Sequence, residues 1–301
     1  MLAAAIDLGS NSARLLISEV NNSEIREIFR KKITTRLGAG IKKDGSLSSE
    51  ARECALHAIQ QFQKEIKKFQ VDQVKIIGTS ALRDINNRDQ IKNIIKKKFG
   101  YDLEVVSGKD EACLVYKGVS LDFKGDNFLV IDIGGGSTEF IWKNEQINFK
   151  SLDLGAVRLT KNYVSHPYFP LTDQEKKTLK KVVYREVDRN LPSTIKLNTT
   201  LGVGGTITTL GAIKQKLIEY KPEKIHKFNL TAVAVEEIFN NVANCNLEDR
   251  KKIKGLEPQR ADIIPAGVLI LQTVMSYFDI DNIMISEKDL LYGISRLLYK
   301  I

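Results

Sequence analysis

Two short segments of the sequence pair an aspartate with a turn of small residues. Asp7 precedes Leu-Gly-Ser-Asn-Ser, and Asp132, 125 residues later, precedes Ile-Gly-Gly-Gly-Ser. Backbone N–H groups in such turns can converge on an anion, whereas a carboxylate beside them repels phosphate unless a cation lies between. The pattern predicts phosphate binding with Mg²⁺ or Mn²⁺; a plain tight turn would explain one copy but not two matching ones. The predicted phosphate-binding residues are Ser10, Asn11, Ser12, Gly134, Gly135, Gly136, Ser137 and, in a third turn, Gly204, Gly205 and Thr206.

Two glutamates are further candidates for chemistry. Glu111 lies in the first turn of a predicted helix capped by Ser107, where a glutamate also complements the helix dipole. Glu139 interrupts an otherwise apolar strand, and strand alternation places it on the same side as Ser137. A solvent-facing strand edge would equally explain Glu139, so from the residues alone both alternatives stay open.

The elements around the two turns repeat as well. In each half, a strand, its hairpin partner and a third strand precede alternating helices and strands. The first half continues with a helix over 48–69, and Thr172 and Glu175 form a capping box before a long helix in the second half. This repetition predicts an α/β protein of two domains related by duplication, with the two turns facing a common cleft. The predicted domains are 1–118 and 119–287, with the last helix, 288–301, packing back on the first.

Composition limits the class of protein. The chain has 301 residues, of which 43% are apolar and 28% charged, values typical of a soluble globular protein. Cys54, Cys113 and Cys245 lack the spacing of a zinc site or a disulfide framework. The first residues lack the basic region of a signal peptide, and the longest apolar stretch is too short to span a bilayer. We expect a cytoplasmic location and no membrane partner.

The net charge of +9 favours a polyanionic partner. Lysines cluster in 92–100, 174–183, 214–227 and 249–255, although the solvated face of a helix would explain any single cluster. Aromatic residues are not interleaved with these lysines, and nothing resembles a known nucleic-acid-binding motif. We therefore expect a phosphate chain or a nucleotide rather than nucleic acid.

The segments IDLGSNS and IDIGGGSTE resemble the two phosphate motifs of the acetate and sugar kinase/heat-shock-70/actin superfamily. Within it, the sequence most resembles the exopolyphosphatase/guanosine pentaphosphate phosphohydrolase family. The segments TRLGAG, GTSALRDINN, SGKDEACLVYKGV, LGAVRL, GVGGT and RADIIPAG are similar to motifs of that family and follow in the same order. The resemblance covers essentially the whole chain and implies two ribonuclease-H-like (actin-like ATPase) domains with an interdomain phosphate-binding cleft.

The resemblance also implies roles for individual residues. Glu111 matches the general base that activates water, Glu139 a ligand of water or metal, and Arg83 a catalytic arginine that faces phosphate. Arg36 and Arg158 are weaker phosphate-binding candidates. The expected metal ligands are Asp7, Asp132 and Glu139.

The implied activity is a Mg²⁺-dependent hydrolase that releases terminal orthophosphate from inorganic polyphosphate or guanosine pentaphosphate, a reaction linked to the stringent response. A catalytically silent sensor of polyphosphate or alarmone and a small-molecule kinase are the alternatives, and a homodimer is one compatible assembly. Longer family members carry a C-terminal His-Asp phosphohydrolase region. Because His57, His166 and His226 are not followed by Asp, the short two-domain form is expected.

Overall fold

The duplicated turns lie in two separate sheets of the computed structural model. It describes residues 1–21, 24–123, 128–143, 147–192, 195 and 199–298. The chain divides into two compact units, Met1–Lys124 with Lys288–Ile301, and Gly125–Glu287. The sheets confirm the predicted α/β fold of two actin-like domains.

The first unit is built on a five-stranded sheet of order β3-β2-β1-β4-β5. Strand β1 pairs antiparallel with β2 and parallel with β4. Apolar residues of β1 and β2, such as Ile6 and Leu15, are fully buried, as are Ile59 and Phe62 on the apolar face of helix α1. The elements are β1 Leu2–Leu8, β2 Ser12–Val20, β3 Ile25–Thr34, α1 Ser49–Lys68, β4 Gln73–Gly78, α2 Ser80–Asp84, α3 Arg88–Phe99, β5 Leu103–Val105, α4 Gly108–Val119 and, from the end of the chain, α12 Leu290–Leu298.

Helix α12 returns to the first unit and packs on α4 and β1. Two glycines allow the close approach of these helices. A Cβ atom at Gly118 would overlap the carbonyl oxygen of Asp289, and one at Gly293 would overlap that of Leu114. The contact fixes Asp289, at the start of α12, beside the strands of the first unit.

The second unit repeats this plan with one added strand. Its six-stranded sheet has the order β10-β11-β9-β6-β7-β8, in which β6 pairs antiparallel with β7 and parallel with β9. The elements are β6 Phe128–Ile133, β7 Thr138–Lys143, β8 Ile147–Leu152, α5 Ala156–Tyr163, α6 Asp173–Asn190, β9 Thr199–Val203, α7 Gly204–Lys214, α8 Pro222–Ile225, β10 Asn229–Thr231, α9 Ala232–Asn244, α10 Leu247–Arg250, a 3₁₀ turn Pro258–Arg260, α11 Ile264–Tyr277 and β11 Asn282–Ile285. The predicted capping box of Thr172 and Glu175 begins α6. Among the described helices, none is both long and apolar enough to cross a membrane.

Candidate functional site

The β1–β2 turn of the first unit directs its carbonyl groups to the protein interior. The carbonyl of Ser10 accepts a hydrogen bond from the amide of Gly38 at 2.8 Å, and that of Asn11 accepts one from Arg36 at 2.9 Å. A trans peptide points its N–H group opposite to its carbonyl. The amides of Asn11 and Ser12 therefore point away from these partners, in the orientation that binds an anion.

Behind this turn, Arg14 lies between two carboxylates. Its Nε and Nη2 atoms donate to Oδ2 of Asp7 at 2.9 and 2.8 Å, and its Nη1 atom donates to Asp289. Burial raises the pKa of Asp7, with Arg14 opposing that rise. Burial acts to lower the pKa of Arg14, but Asp289 and Asp7 together hold it well above its ordinary value, so the guanidinium stays charged. The other oxygen of Asp7, Oδ1, is buried without a hydrogen-bond partner among the described residues.

Glu111 and Arg83 form a second ion pair in the first unit. Glu111 is buried in the first turn of α4, whose N-cap is Ser107, and its Oε2 accepts a hydrogen bond from Arg83 at 2.5 Å. The same Arg83 nitrogen donates to the carbonyl of Val106 at 3.2 Å. Burial raises the pKa of Glu111, and Asp7 adds to that rise while Arg83 opposes it. The result is a desolvated carboxylate held in one orientation, which suits a general base.

The β6–β7 turn of the second unit has its carbonyls engaged in the same way. Amides at the start of α5 donate to them: Ala156 to Gly134 at 3.0 Å, and Val157 to Gly135 at 2.8 Å. The side chain of Arg158 completes the set through a hydrogen bond from its Nε to the carbonyl of Gly136 at 2.7 Å. The amides of Gly135, Gly136 and Ser137 consequently point the other way.

Two acidic side chains lie beside this second turn. Asp132 and Glu139 are directly opposite in the β6–β7 ladder, so they share one face of the sheet. Both are buried, Glu139 to 1% exposure, which contradicts the alternative of a solvent-facing strand edge. Ser151, opposite Glu139 on β8, donates its hydroxyl to Oε1 of Glu139 at 2.7 Å. Adjacent buried carboxylates on one sheet face favour a cation or a shared proton.

The third predicted turn begins α7 next to Asp132. Gly204 has a φ of +85°, and a Cβ atom there would overlap Oδ1 of Asp132. A Cβ atom at Gly205 would overlap the guanidinium of Arg260. Thr206 is buried, at 2% exposure. The positive φ makes glycine the residue that suits position 204, and the turn places the N-terminal amides of α7 beside one carboxylate and one guanidinium.

The predicted residues are divided between the two units. The first unit contains Asp7, Ser10, Asn11, Ser12, Arg83 and Glu111, and the second contains Asp132, Gly134, Gly135, Gly136, Ser137, Glu139, Gly204, Gly205 and Thr206. Of the weaker candidates, Arg36 is exposed with a φ of +51°, and Arg158 binds the backbone of the β6–β7 turn.

Sequence analysis missed Arg14, Asp289 and Arg260. A local signal for Arg14 was available, because seven residues separate it from Asp7 across a tight hairpin and place the two in opposite positions of the ladder. Asp289 contacts Arg14 across 275 positions of the chain, and no local sequence signal indicated this contact. Arg260 lies within RADIIPAG, but its contact with Gly205 is purely tertiary.

The carboxylates present fit a divalent cation held mainly by its substrate. No group of three or more His, Cys, Asp or Glu side chains lies close enough to form a metal cage within the described part of the chain. Mg²⁺, however, is usually bound through one or two carboxylates, waters and substrate phosphates. The orphan Oδ1 of Asp7 and the adjacent Asp132 and Glu139 are donors of that kind.

Comparisons with known proteins identify the family that the chain resembles. A protein-family model described as the Ppx/GppA phosphatase family matches residues 16–295. Exopolyphosphatase 2 of Mycobacterium tuberculosis is 30% identical over 97% of each chain. A crystal structure of the Aquifex aeolicus member of the Ppx/GppA family is 29% identical, with a TM-score of 0.83, over 100% of this chain and 98% of its own.

Two other relatives are longer proteins. The bifunctional 3-dehydroquinate synthase/phosphatase of Fusobacterium nucleatum is 38% identical over 97% of this chain and 46% of its own length. The guanosine-5'-triphosphate,3'-diphosphate pyrophosphatase of Aeromonas salmonicida is 28% identical over 97% of this chain and 59% of its own length. The chain thus spans about half the length of these two relatives.

Proposed function

The chain belongs to the Ppx/GppA phosphatase family, and we propose that it is a phosphoanhydride hydrolase that releases terminal orthophosphate from inorganic polyphosphate or guanosine pentaphosphate. Relatives named as an exopolyphosphatase and as a guanosine-5'-triphosphate,3'-diphosphate pyrophosphatase support these two substrates. The observation that carries the proposal is the buried pair of Glu111 and Arg83. Burial of a carboxylate costs free energy, and such groups cluster at functional sites. Activation of water is a function that this pair can perform.

Glu111 acts in this proposal as the general base. Its raised pKa brings its basicity closer to neutral pH, where proton abstraction from water is more favourable. Arg83 holds Oε2 of Glu111 and leaves Oε1 as the oxygen available to a water molecule. Arg83 also supplies positive charge close to the reacting phosphoryl group.

The three turns bind the phosphate oxygens through backbone amides. Their carbonyl groups are already engaged, as in the bonds to Gly134 and Gly135, so binding of substrate requires no reorganisation of the turns. The four lysine clusters favour a long polyanion over a nucleotide, because charges far from the reacting phosphate can still attract a chain.

We propose Mg²⁺, or Mn²⁺ in its place, as the cofactor, with Asp7, Asp132 and Glu139 as the carboxylate ligands. When bound, the ion would neutralise phosphate charge that these carboxylates would otherwise repel. The residues themselves bind and orient: Ser151 holds one oxygen of Glu139, and Arg14 holds one oxygen of Asp7.

A substrate panel tests the proposal. Orthophosphate release is measured from long-chain polyphosphate, tripolyphosphate and guanosine pentaphosphate, with and without Mg²⁺, and without any added acceptor. Release from at least one substrate in the presence of Mg²⁺ is expected. Tight binding without turnover at every metal concentration would instead identify a sensor, and transfer only to an added small acceptor would identify a kinase.

A further inference from the structure

Two consecutive peptides of the turn, Gly135–Gly136 and Gly136–Ser137, are held by the start of α5. The amides of Val157 and Arg158 donate to the carbonyl of Gly135 at 2.8 and 3.0 Å, and Nε of Arg158 donates to the carbonyl of Gly136 at 2.7 Å. A Cβ atom at Gly155 would overlap the backbone of both glycines. The Gly134–Ser137 turn contains three glycines, which allow many conformations. It is therefore held in one conformation by the start of α5 and by the side chain of Arg158.

We propose that Arg158 is a positioning residue that holds the Gly134–Ser137 turn in its phosphate-binding conformation through Nε, rather than a ligand of phosphate. This inference rests on the proposed function. The bond to the carbonyl of Gly136 fixes the direction of the next amide, that of Ser137. Glycine peptides have more accessible conformations than any others, so an unheld turn would lose affinity when it becomes ordered around the substrate.

Arg158 also forms an ion pair with Asp153. Asp153, whose side chain is 84% exposed, lies 3.4 Å from Nη2 of Arg158. An exposed ion pair at that distance contributes little. The short bond from Nε to the Gly136 carbonyl requires a side chain with an N–H donor four bonds from the Cα atom, as arginine has.

Two substitutions separate the donor at Nε from the positive charge. Arg158→Lys keeps the charge but places a methylene where Nε was, whereas Arg158→Gln loses the charge but keeps an N–H donor at that position. A positioning role predicts that Arg158→Lys and Arg158→Ala raise KM about 10- to 100-fold with kcat little changed, while Arg158→Gln stays within about threefold of the parent. A direct phosphate ligand predicts the reverse order for Lys and Gln.

Binding and exchange measurements keep the test independent of catalysis. Affinity for tripolyphosphate is measured by calorimetry in the Glu111→Gln background, where turnover is suppressed. Amide hydrogen exchange of Gly134 and Val157 is measured without ligand, and faster exchange is expected in Arg158→Lys and Arg158→Ala. If the parent binds tripolyphosphate but hydrolyses nothing, the proposed function fails while these two measurements still decide the role of Arg158.

Two further variants complete the design. Asp153→Asn is the matched control and should leave KM and exchange unchanged. Gly155→Ala displaces the same turn without touching a charge and should reproduce the KM of Arg158→Ala. Parental KM and affinity in Arg158→Lys would overturn the proposal, as would variants that only melt at a lower temperature with KM unchanged.

Discussion

The β1–β2 hairpin of the first unit and the β6–β7 hairpin of the second have the same turn hydrogen bond. The residues that pair with their aspartates across the ladder, however, carry opposite charges. In both, the first glycine of the turn donates to the carbonyl three residues later, Gly9 to Ser12 at 3.1 Å and Gly134 to Ser137 at 3.0 Å. The residue opposite the aspartate is Arg14 in the first hairpin and Glu139 in the second. The two hairpins thus share the conformation of the turn and differ in the charge of the residue opposite the aspartate.

This difference assigns different electrostatic tasks to the two units. In the first, Arg14 pairs with one oxygen of Asp7, and Glu111 is a separate buried acid with a raised pKa. In the second, Asp132 and Glu139 lie side by side on one sheet face and favour an external cation. We therefore expect substitution of Glu111 in the first unit to lower kcat, and substitution of Glu139 in the second to change the dependence of the rate on Mg²⁺.

The largest effect is expected in the first unit from Glu111→Gln, which preserves size but cannot accept a proton. If Glu111 is the base, kcat should fall about 10²- to 10⁴-fold while binding of tripolyphosphate stays near the parental value. Asp110→Asn, an exposed acid in the same turn of α4, is the matched control. A folded Glu111→Gln protein that retains more than about a tenth of the parental rate would contradict the role of base.

A substitution in the second unit should change the dependence of the rate on the Mg²⁺ concentration. Glu139→Gln removes one of the two adjacent carboxylates, and we expect the Mg²⁺ concentration for half-maximal rate to rise about 10- to 100-fold. Ser151→Ala, which removes only the hydroxyl donor to Glu139, should give a smaller rise. Titration of the rate with Mg²⁺ measures both. Full parental activity in excess EDTA would contradict the proposal that the enzyme requires a divalent cation.

The pH dependence of the rate tests the effect of Arg83 on the pKa of Glu111. If Glu111 is the base, it must be ionised, so the rate should fall as the pH drops through the pKa of Glu111, which burial raises and Arg83 holds down. Removal of that positive charge in Arg83→Met should raise the pKa further, so the loss of kcat/KM should begin at a higher pH than in the parent. Arg88→Met, an exposed arginine of α3, should leave the profile unchanged. A profile displaced toward acid in Arg83→Met would contradict the assignment.

Features with a local cause could be predicted from the sequence. Alternation and turn chemistry predicted both hairpins, and spacing predicted the helix over 48–69, which the structure shows as α1. These features depend on neighbours a few residues apart, which the sequence displays directly.

Features with a tertiary cause could not be predicted. The contact between Arg14 and Asp289 joins residues 275 positions apart and exists because α12 crosses α4 at two glycines. The position of Arg158 against Gly136 likewise depends on the close approach of Gly155 to the turn. Sequence analysis found Arg158 as a basic residue near a phosphate motif but could not show that its donor points to the backbone.

The smallest effect should come from Asp289, which gives Arg14 a second carboxylate in addition to Asp7. Oδ1 of Asp289 also accepts a hydrogen bond from the amide of Leu291 at 3.1 Å and so caps α12. Asp289→Asn keeps an oxygen for the cap and loses the charge, whereas Asp289→Ala loses both. Because Asp7 still pairs with Arg14, Asp289→Asn should lower stability by about 1 kcal/mol.

Thermal melts check this difference. Asp289→Asn should lower the melting temperature by about 2–4 °C, and Asp289→Ala should add the loss of a helix cap, about 0.5–2 kcal/mol. Asp102→Asn, which breaks a surface pair with Lys96 at an 83% exposed side chain, should change the melting temperature least because such pairs contribute little. If Asp289→Asn melts like Asp102→Asn, then Asp7 alone is sufficient to stabilise the charge of Arg14. The electrostatic difference between the hairpins would then lie in the two residues opposite their aspartates, without a contribution from the returning helix.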